Sequence, residues 1–141
     1  MKLLRFGVNG KEKPGIVDAT NKLRDLSSGV ADIAGDALSA KMLARMRAVD
    51  LDALPIVSDG IRLGPFIGSV RNFIAVGLNY ADHAAESKMT LSAEPVLFNK
   101  APFCIVGPND DVVLPPGSVK TDLEVELAVV IGERASYVAE E

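Results

Sequence analysis

Two carboxylates, Glu124 and Glu126, stand one residue apart inside the apolar run LEVELAVVIG at 123–132. On a strand, alternate side chains share a face, so this spacing places both on one side, about 6.6 Å apart along the chain. Burying two like charges together costs several kcal/mol or drives one pKa upward. A divalent cation removes that conflict by taking oxygens from both, and carboxylate donors suit Mg²⁺, Mn²⁺ or Ca²⁺. The other reading is an edge strand whose glutamate face is simply wet. The residues alone leave both open. Asp122 shares the parity, yet it is four residues from Glu126, about 13 Å on an extended strand. It reads as a structural hydrogen-bond acceptor rather than a third ligand.

His83 is the only histidine, and Glu86 follows three residues later. On a helix the two share a face and can hydrogen-bond. A carboxylate set on an imidazole fixes its tautomer and raises its basicity, which suits a general base acting on water. The alternative is an ion pair on a helix surface. Lys100 ends the stretch Val96-Leu97-Phe98-Asn99-Lys100. It can pair with a substrate carboxylate or point into solvent at a strand end. Cys104 has apolar neighbours and no adjacent base, so it is expected to be buried packing.

The elements that must position these groups follow from periodicity and turn residues. Leu4, Phe6 and Val8 share a parity, and Asn9-Gly10 signals a hairpin. Strands are expected at Gly15–Asp18 and Lys22–Leu26, with Thr20-Asn21 turning between them. Leu38, Met42, Leu43, Met46 and Val49 recur at helical spacing, with Ser39 as a cap residue and Pro55 ending the region, and the two methionines read as core filler. Phe73–Leu78 reads as a strand, Asn79 as the cap of a short helix over 80–88, and Pro95 as the start of the next strand. Further short strands are expected at Cys104-Ile105-Val106 and Val112-Val113-Leu114, and the 123–132 run as a strand buried on both faces.

The whole chain has 141 residues with 48% hydrophobic and 24% charged residues, which excludes intrinsic disorder. A net charge of −4 offers no basic excess for nucleic acid. No apolar run nears the roughly 20 residues of a membrane span. One cysteine excludes an internal disulfide and suits a reducing, cytoplasmic setting. Phosphate-loop, zinc-site and serine-hydrolase motifs are all missing. The segment PIVSDGIRLGPFIGSVRN (55–72) carries two Pro and three Gly and reads as a boundary. The expected domains are a small N-terminal one over 1–68 and a β-rich one over 69–141. The fold class is α+β, mostly β.

Three stretches, NFIAVGLNYADHAAES (72–87), EPVLFNK (94–100) and VGPNDDVVLPPGSVKTDLEVELAVVIG (106–132), resemble the fumarylacetoacetate hydrolase family. The motif G-x-N-Y-x-x-H-x-x-E, Gly77 to Glu86, is specific, and D-x-E-V-E-L-x-x-V-I-G more so. The resemblance implies a small N-terminal α/β domain followed by the first part of that family's mixed β-sheet fold. It implies an Mg²⁺- or Mn²⁺-dependent hydrolase or lyase cleaving a C–C (or C–N) bond in small 2-oxo acids of the acylpyruvate type, or in ureidoglycolate. In this reading Glu124 and Glu126 are metal ligands, His83 is the base, Glu86 its partner and Lys100 a substrate contact. The cation stabilises the enolate charge that builds as the bond breaks. A homodimer or higher self-association is also implied. The family's third carboxylate ligand lies further downstream than this chain reaches. The chain is therefore expected to correspond to the N-terminal half of a longer enzyme. The rival expectation is a catalytically incomplete piece acting as a structural or oligomerising module.

Overall fold

Between Lys2 and Asp25 two turns separate three short apolar-bearing stretches, which form three antiparallel strands. These are β1 (Lys2–Phe6), β2 (Lys13–Val17) and β3 (Leu23–Asp25), in the order β1-β2-β3. Leu4 stands opposite Gly15, and Ile16 opposite Arg24. In the first connection Gly7 and Gly10 take φ of 110° and 75°, which only glycine adopts without strain. In the second, Asp18 organises the turn as expected around Thr20-Asn21. Its carboxylate accepts from the Thr20 amide (2.8 Å), the Thr20 hydroxyl (2.7 Å) and the Lys22 amide (3.0 Å). Asn21 takes the left-handed conformation at φ 61°, a region asparagine tolerates well.

The computed structural model describes residues 1–140. By contact they group into two units, one of Met1–Ser69 with Val106 onward, the other of Val70–Ile105. Both edges of the first sheet are shielded by the glycine- and proline-rich segment. Phe6 bridges Leu63, and Arg24 bridges Ile56. Covering edges in this way blunts their tendency to recruit foreign strands.

Helix α1 (Ala40–Arg47) begins where the sequence places it. The Ser39 hydroxyl accepts from the Met42 amide at 3.4 Å. A second cap comes from far away in sequence, since Glu133 Oε1 accepts from the Ala40 amide at 2.8 Å. A carboxylate at this end also suits the helix dipole. The helix lays Met46, 1% exposed, into a cluster with Ile16, Leu26, Val30 and Ile33. Met46 is thus core, as its spacing predicts.

Charge, as well as apolar packing, holds this unit together. Arg62 pairs with Asp110 and with Glu12, and Arg5 pairs with Glu12 and Asp32. Burial opposes ionisation of Glu12, but hydrogen bonds from its own backbone and from Arg62 outweigh it and hold the carboxyl below its usual range.

The second unit is smaller. Strand β4 (Phe73–Gly77) pairs antiparallel with β5 (Val96–Lys100), setting Phe73 opposite Lys100 and Ala75 opposite Phe98. Helix α2 (Ala81–Glu86) lies between them in sequence. Its end is a tight hydrogen-bonded cap, with the Lys88 amide donating to Ala85 O (3.1 Å) and the Met89 amide to Ala84 O (2.9 Å). Lys88 occupies the left-handed position at φ 55°. The whole is an α+β fold of small sheets and short helices.

Several expected elements differ. Helix α2 is shorter than 80–88, and its cap residue is Tyr80, not Asn79; no side chain caps it. Residues Pro102–Cys104 form a 3₁₀ turn, and Cys104 is exposed rather than buried. Pro102 at the start of the turn favours helical over extended backbone. No strand forms at 112–114 or 123–132. Leu123, Val125 and Val129 are 87%, 89% and 76% exposed. A strand buried on both faces requires neighbouring strands and covering layers, and no ladder forms beyond β5 among the described residues.

Candidate functional site

Strand β4 ends at Gly77, and the chain turns through Leu78 into α2. Leu78 has φ 52°, an outlier for a bulky side chain. Strained backbone of this kind concentrates at functional sites. Here it lies within the Gly77–Glu86 motif. The turn borders a cleft of about 220 Å³ between Gly77, Leu78 and Asn79 on one side and Ser92, Glu94 and Pro95 on the other. Its polar lining comes from Asn79, Ser92 and Glu94. Neither His83 nor Glu86 lines it.

His83 and Glu86 lie on α2, three residues apart and both exposed. The His83 amide accepts local support from Asp82, donating to its Oδ1 at 2.9 Å. Ala84, between the pair, is buried at 2% exposure, so the helix packs through that one residue, while Ala81 and Ala85 are exposed. That leaves the imidazole and the carboxylate reachable from solvent.

Lys100 is half-buried at the end of β5. Its ammonium stands 5.8 Å from the centre of the Phe73 ring and 5.9 Å from that of Phe98. The strand register explains this, because Phe73 is its cross-strand partner and Phe98 shares its face. Two ring faces holding one cation contribute roughly 0.5–1 kcal/mol each at accessible sites. Lys100 is therefore held in place by aromatic neighbours that the sequence alone does not identify.

Glu124 and Glu126 lie in the first unit, in the irregular run after Pro116, and both are exposed. The strand expected to aim them to one side is absent. Among the described residues, no group of three or more His, Cys, Asp or Glu gathers as a metal cluster. The pair has the hard oxygen chemistry that Mg²⁺ or Mn²⁺ takes, so it fits as two donors of a larger set. Asp122 accepts from the Leu123 amide at 2.8 Å, the structural role expected of it.

Sequence reasoning missed Arg62, Glu12 and Asp110, whose network fixes the segment leading toward the glutamates. Asp110 Oδ2 also accepts from the Gly107 amide at 2.7 Å. The hydrogen bonds from Arg62 and then Gly107 hold the Asp110 carboxyl below its usual range, and Asp110 and Glu12 in turn raise the Arg62 guanidinium. The only signal in the sequence is charge placed within Gly- and Pro-rich segments.

A family model described as the C-terminal region of fumarylacetoacetate hydrolase matches residues 72–141. Relatives extend the similarity across the first unit. A Burkholderia cenocepacia protein, whose name assigns it an assumed hydrolase function, is 56% identical over 140 residues, 99% of this chain and 50% of its own length. A similarly named protein of Burkholderia multivorans is 58% identical over 132 residues, 94% of this chain and 47% of its own length. Among solved structures, a fumarylacetoacetate hydrolase from the psychrophilic Exiguobacterium antarcticum superposes with a TM-score of 0.54 at 35% identity. That match covers 75% of this chain and 37% of the other. The chain thus spans about half the length of the relatives it matches. A family match that begins one residue before β4 and takes in α2, β5 and both glutamates, joined by relatives similar along the whole sequence, makes this chain a member of the fumarylacetoacetate hydrolase family.

Proposed function

We propose that this chain contributes to a metal-dependent hydrolase or lyase that cleaves a C–C (or C–N) bond in small 2-oxo acids of the acylpyruvate type, or in ureidoglycolate-type substrates. The observation that carries the reading is α2, which presents one imidazole and one carboxylate to solvent at helical spacing, directly after a strained turn. Family membership supports the hydrolase class.

His83 takes a proton from water, and the resulting hydroxide adds to the acyl carbon. Glu86 is its orienting partner, selecting the tautomer that leaves the accepting nitrogen free. The electrons of the breaking bond pass to the departing 2-oxo fragment, whose carbon then takes up a proton. Lys100, steadied by Phe73 and Phe98, pairs with the substrate carboxylate. Glu124 and Glu126 hold the cation, Mg²⁺ or Mn²⁺, together with further donors. When bound, that ion supplies Lewis-acid stabilisation of the charge developing on a substrate oxygen. The assembled enzyme is cytoplasmic and homodimeric in this reading. Among the described residues, no helix is long and apolar enough to cross a membrane.

The test is an assay of fumarylpyruvate, oxaloacetate and ureidoglycolate with Mg²⁺ and then with a chelator. Turnover that the chelator abolishes supports the proposal. Silence from folded, metal-loaded protein supports the second reading, a catalytically incomplete structural module. That reading draws on the lack of a three-donor cluster among the described residues.

A further inference from the structure

Helix α1 and the Leu26–Val30 turn of the first unit border a second, smaller pocket. Its volume is about 120 Å³, and Leu26, Val30, Met42, Met46, Val49 and Leu54 give it an apolar lining. Two polar side chains join that lining, Ser28 and Arg45, and both are exposed, so the pocket has a mouth at the surface. The amides of Gly29 and Val30 donate to the Leu26 carbonyl, at 3.0 and 3.1 Å. The Ser28 hydroxyl has no hydrogen-bond partner among the described residues. Arg5, Arg24 and Arg62 all pair with carboxylates. Arg45 has no carboxylate partner among the described residues; its Nη1 meets the Met42 sulfur at 3.7 Å, a weak acceptor.

We infer that this pocket binds a small carboxylate with a short, branched alkyl tail. Its make-up is that of a small-molecule site, an apolar recess with a few convergent polar groups. Size selects the tail. An apolar cavity of roughly 150 Å³ admits a benzene ring, so a branched chain of about four carbons is of fitting bulk here. Charge selects the head group. The Arg45 guanidinium matches a carboxylate through parallel hydrogen bonds, and the Ser28 hydroxyl offers one further donor. One arginine balances one carboxylate, whereas a phosphate monoester brings close to two negative charges. The pocket shares no residue with the Gly77–Glu86 motif or with Glu124 and Glu126, so the inference stands apart from the proposed reaction.

Titration of the chain with isovalerate at constant ionic strength tests it, read by NMR at the methionine methyl groups. Met42 and Met46 line the pocket while Met1 and Met89 do not, so the protein carries its own reference. The expected result is saturable movement of the Met42 and Met46 resonances, with those of Met1 and Met89 unmoved. Arg45→Gln should weaken isovalerate binding about fivefold or more. It should leave unchanged the binding of 3-methylbutanol, which has the same tail and no charge. Glutamine suits a helix nearly as well as arginine, and Arg45 is exposed, so the variant keeps α1. Unresponsive Met42 and Met46 resonances overturn the inference. So does an isovalerate affinity indifferent to Arg45→Gln, which reports apolar uptake without recognition of the carboxylate. Equal weakening of both compounds also overturns it, because the substitution has then altered the pocket rather than removed a charge contact.

Discussion

The guanidinium of Arg62 grips the carboxylate of Asp110 through two hydrogen bonds, Nε to Oδ1 at 2.7 Å and Nη2 to Oδ2 at 2.6 Å. The residues are 48 apart in sequence. A planar fork facing a carboxylate is the geometry in which an ion pair is most directional. Arg62 also donates to Glu12 at 3.0 Å and to the Gly7 carbonyl at 3.1 Å, so one side chain ties three segments together.

This pairing makes stability depend on acid. Asp110 is held below its usual range by Arg62 and Gly107; Asp18 likewise, by the Thr20 hydroxyl, Arg24 and the Lys22 amide. A carboxyl whose folded pKa is depressed contributes stability above its unfolded value and loses it as pH falls through the lower, folded value. Asp110→Asn is therefore expected to lower the melting temperature at pH 7. The deficit should begin to shrink below about pH 4, where the carboxyl of the unfolded chain starts to take up protons, and close as pH falls through the lower, folded value. Paired thermal melts from pH 7 to pH 2 check this, and a deficit constant across that range contradicts it.

The cluster around Met46 gives a second expectation. Met46 is 1% exposed and packs with Ile16, Leu26, Val30 and Ile33. Met46→Ala removes side-chain volume that its neighbours only partly reclaim, at a cost of about 2–5 kcal/mol. Urea unfolding should show a lower midpoint with the slope unchanged. Met42, half-buried on the same helix, should cost clearly less when truncated.

Lys88 yields a prediction of the opposite sign. It closes α2 in a left-handed conformation that disfavours any residue with a Cβ by roughly 1–2 kcal/mol. Lys88→Gly should relieve much of that and strengthen the last turn, the one that carries Glu86. Amide exchange at Lys88 and Met89, which donate the closing hydrogen bonds, should slow about fivefold for 1 kcal/mol. Unchanged or faster exchange counts against the strain argument.

Local chemistry was legible and partnership was not. Ser39 caps α1 because a hydroxyl and an amide three residues on suffice for the bond, and both are visible in sequence. The Asp18 turn and β4 followed from local residues in the same way. The 123–132 run shows the limit. Its apolar pattern states that the segment suits a strand, but a strand exists only when something pairs with it, and pattern carries no information on that. Cys104 failed for a related reason: apolar neighbours in sequence do not guarantee apolar neighbours in space, and Phe103 beside it is 91% exposed. In the candidate site, the spacing of His83 and Glu86 was readable because it lies within one helix. The rings that flank Lys100 required the β4–β5 register. Glu12, Arg62 and Asp110 required the tertiary fold.

The two glutamates offer the sharpest test of the metal proposal. A ligand that binds only the folded state stabilises it by about 2.7 kcal/mol at one hundred times its dissociation constant. If Glu124 and Glu126 both donate, Mg²⁺ or Mn²⁺ should raise the melting temperature of the protein, and Glu124→Gln with Glu126→Gln should remove the rise. Glutamine keeps the size and an oxygen acceptor but not the charge, so loss of the shift reports ligation rather than altered packing. The reference for each protein is its own melt without metal, so a change in baseline stability does not enter the comparison. Ca²⁺ makes a useful control, since it accepts the same donors at longer distances and with looser geometry. A metal-induced shift that survives the double substitution assigns the cation to other residues and removes Glu124 and Glu126 from the proposed centre.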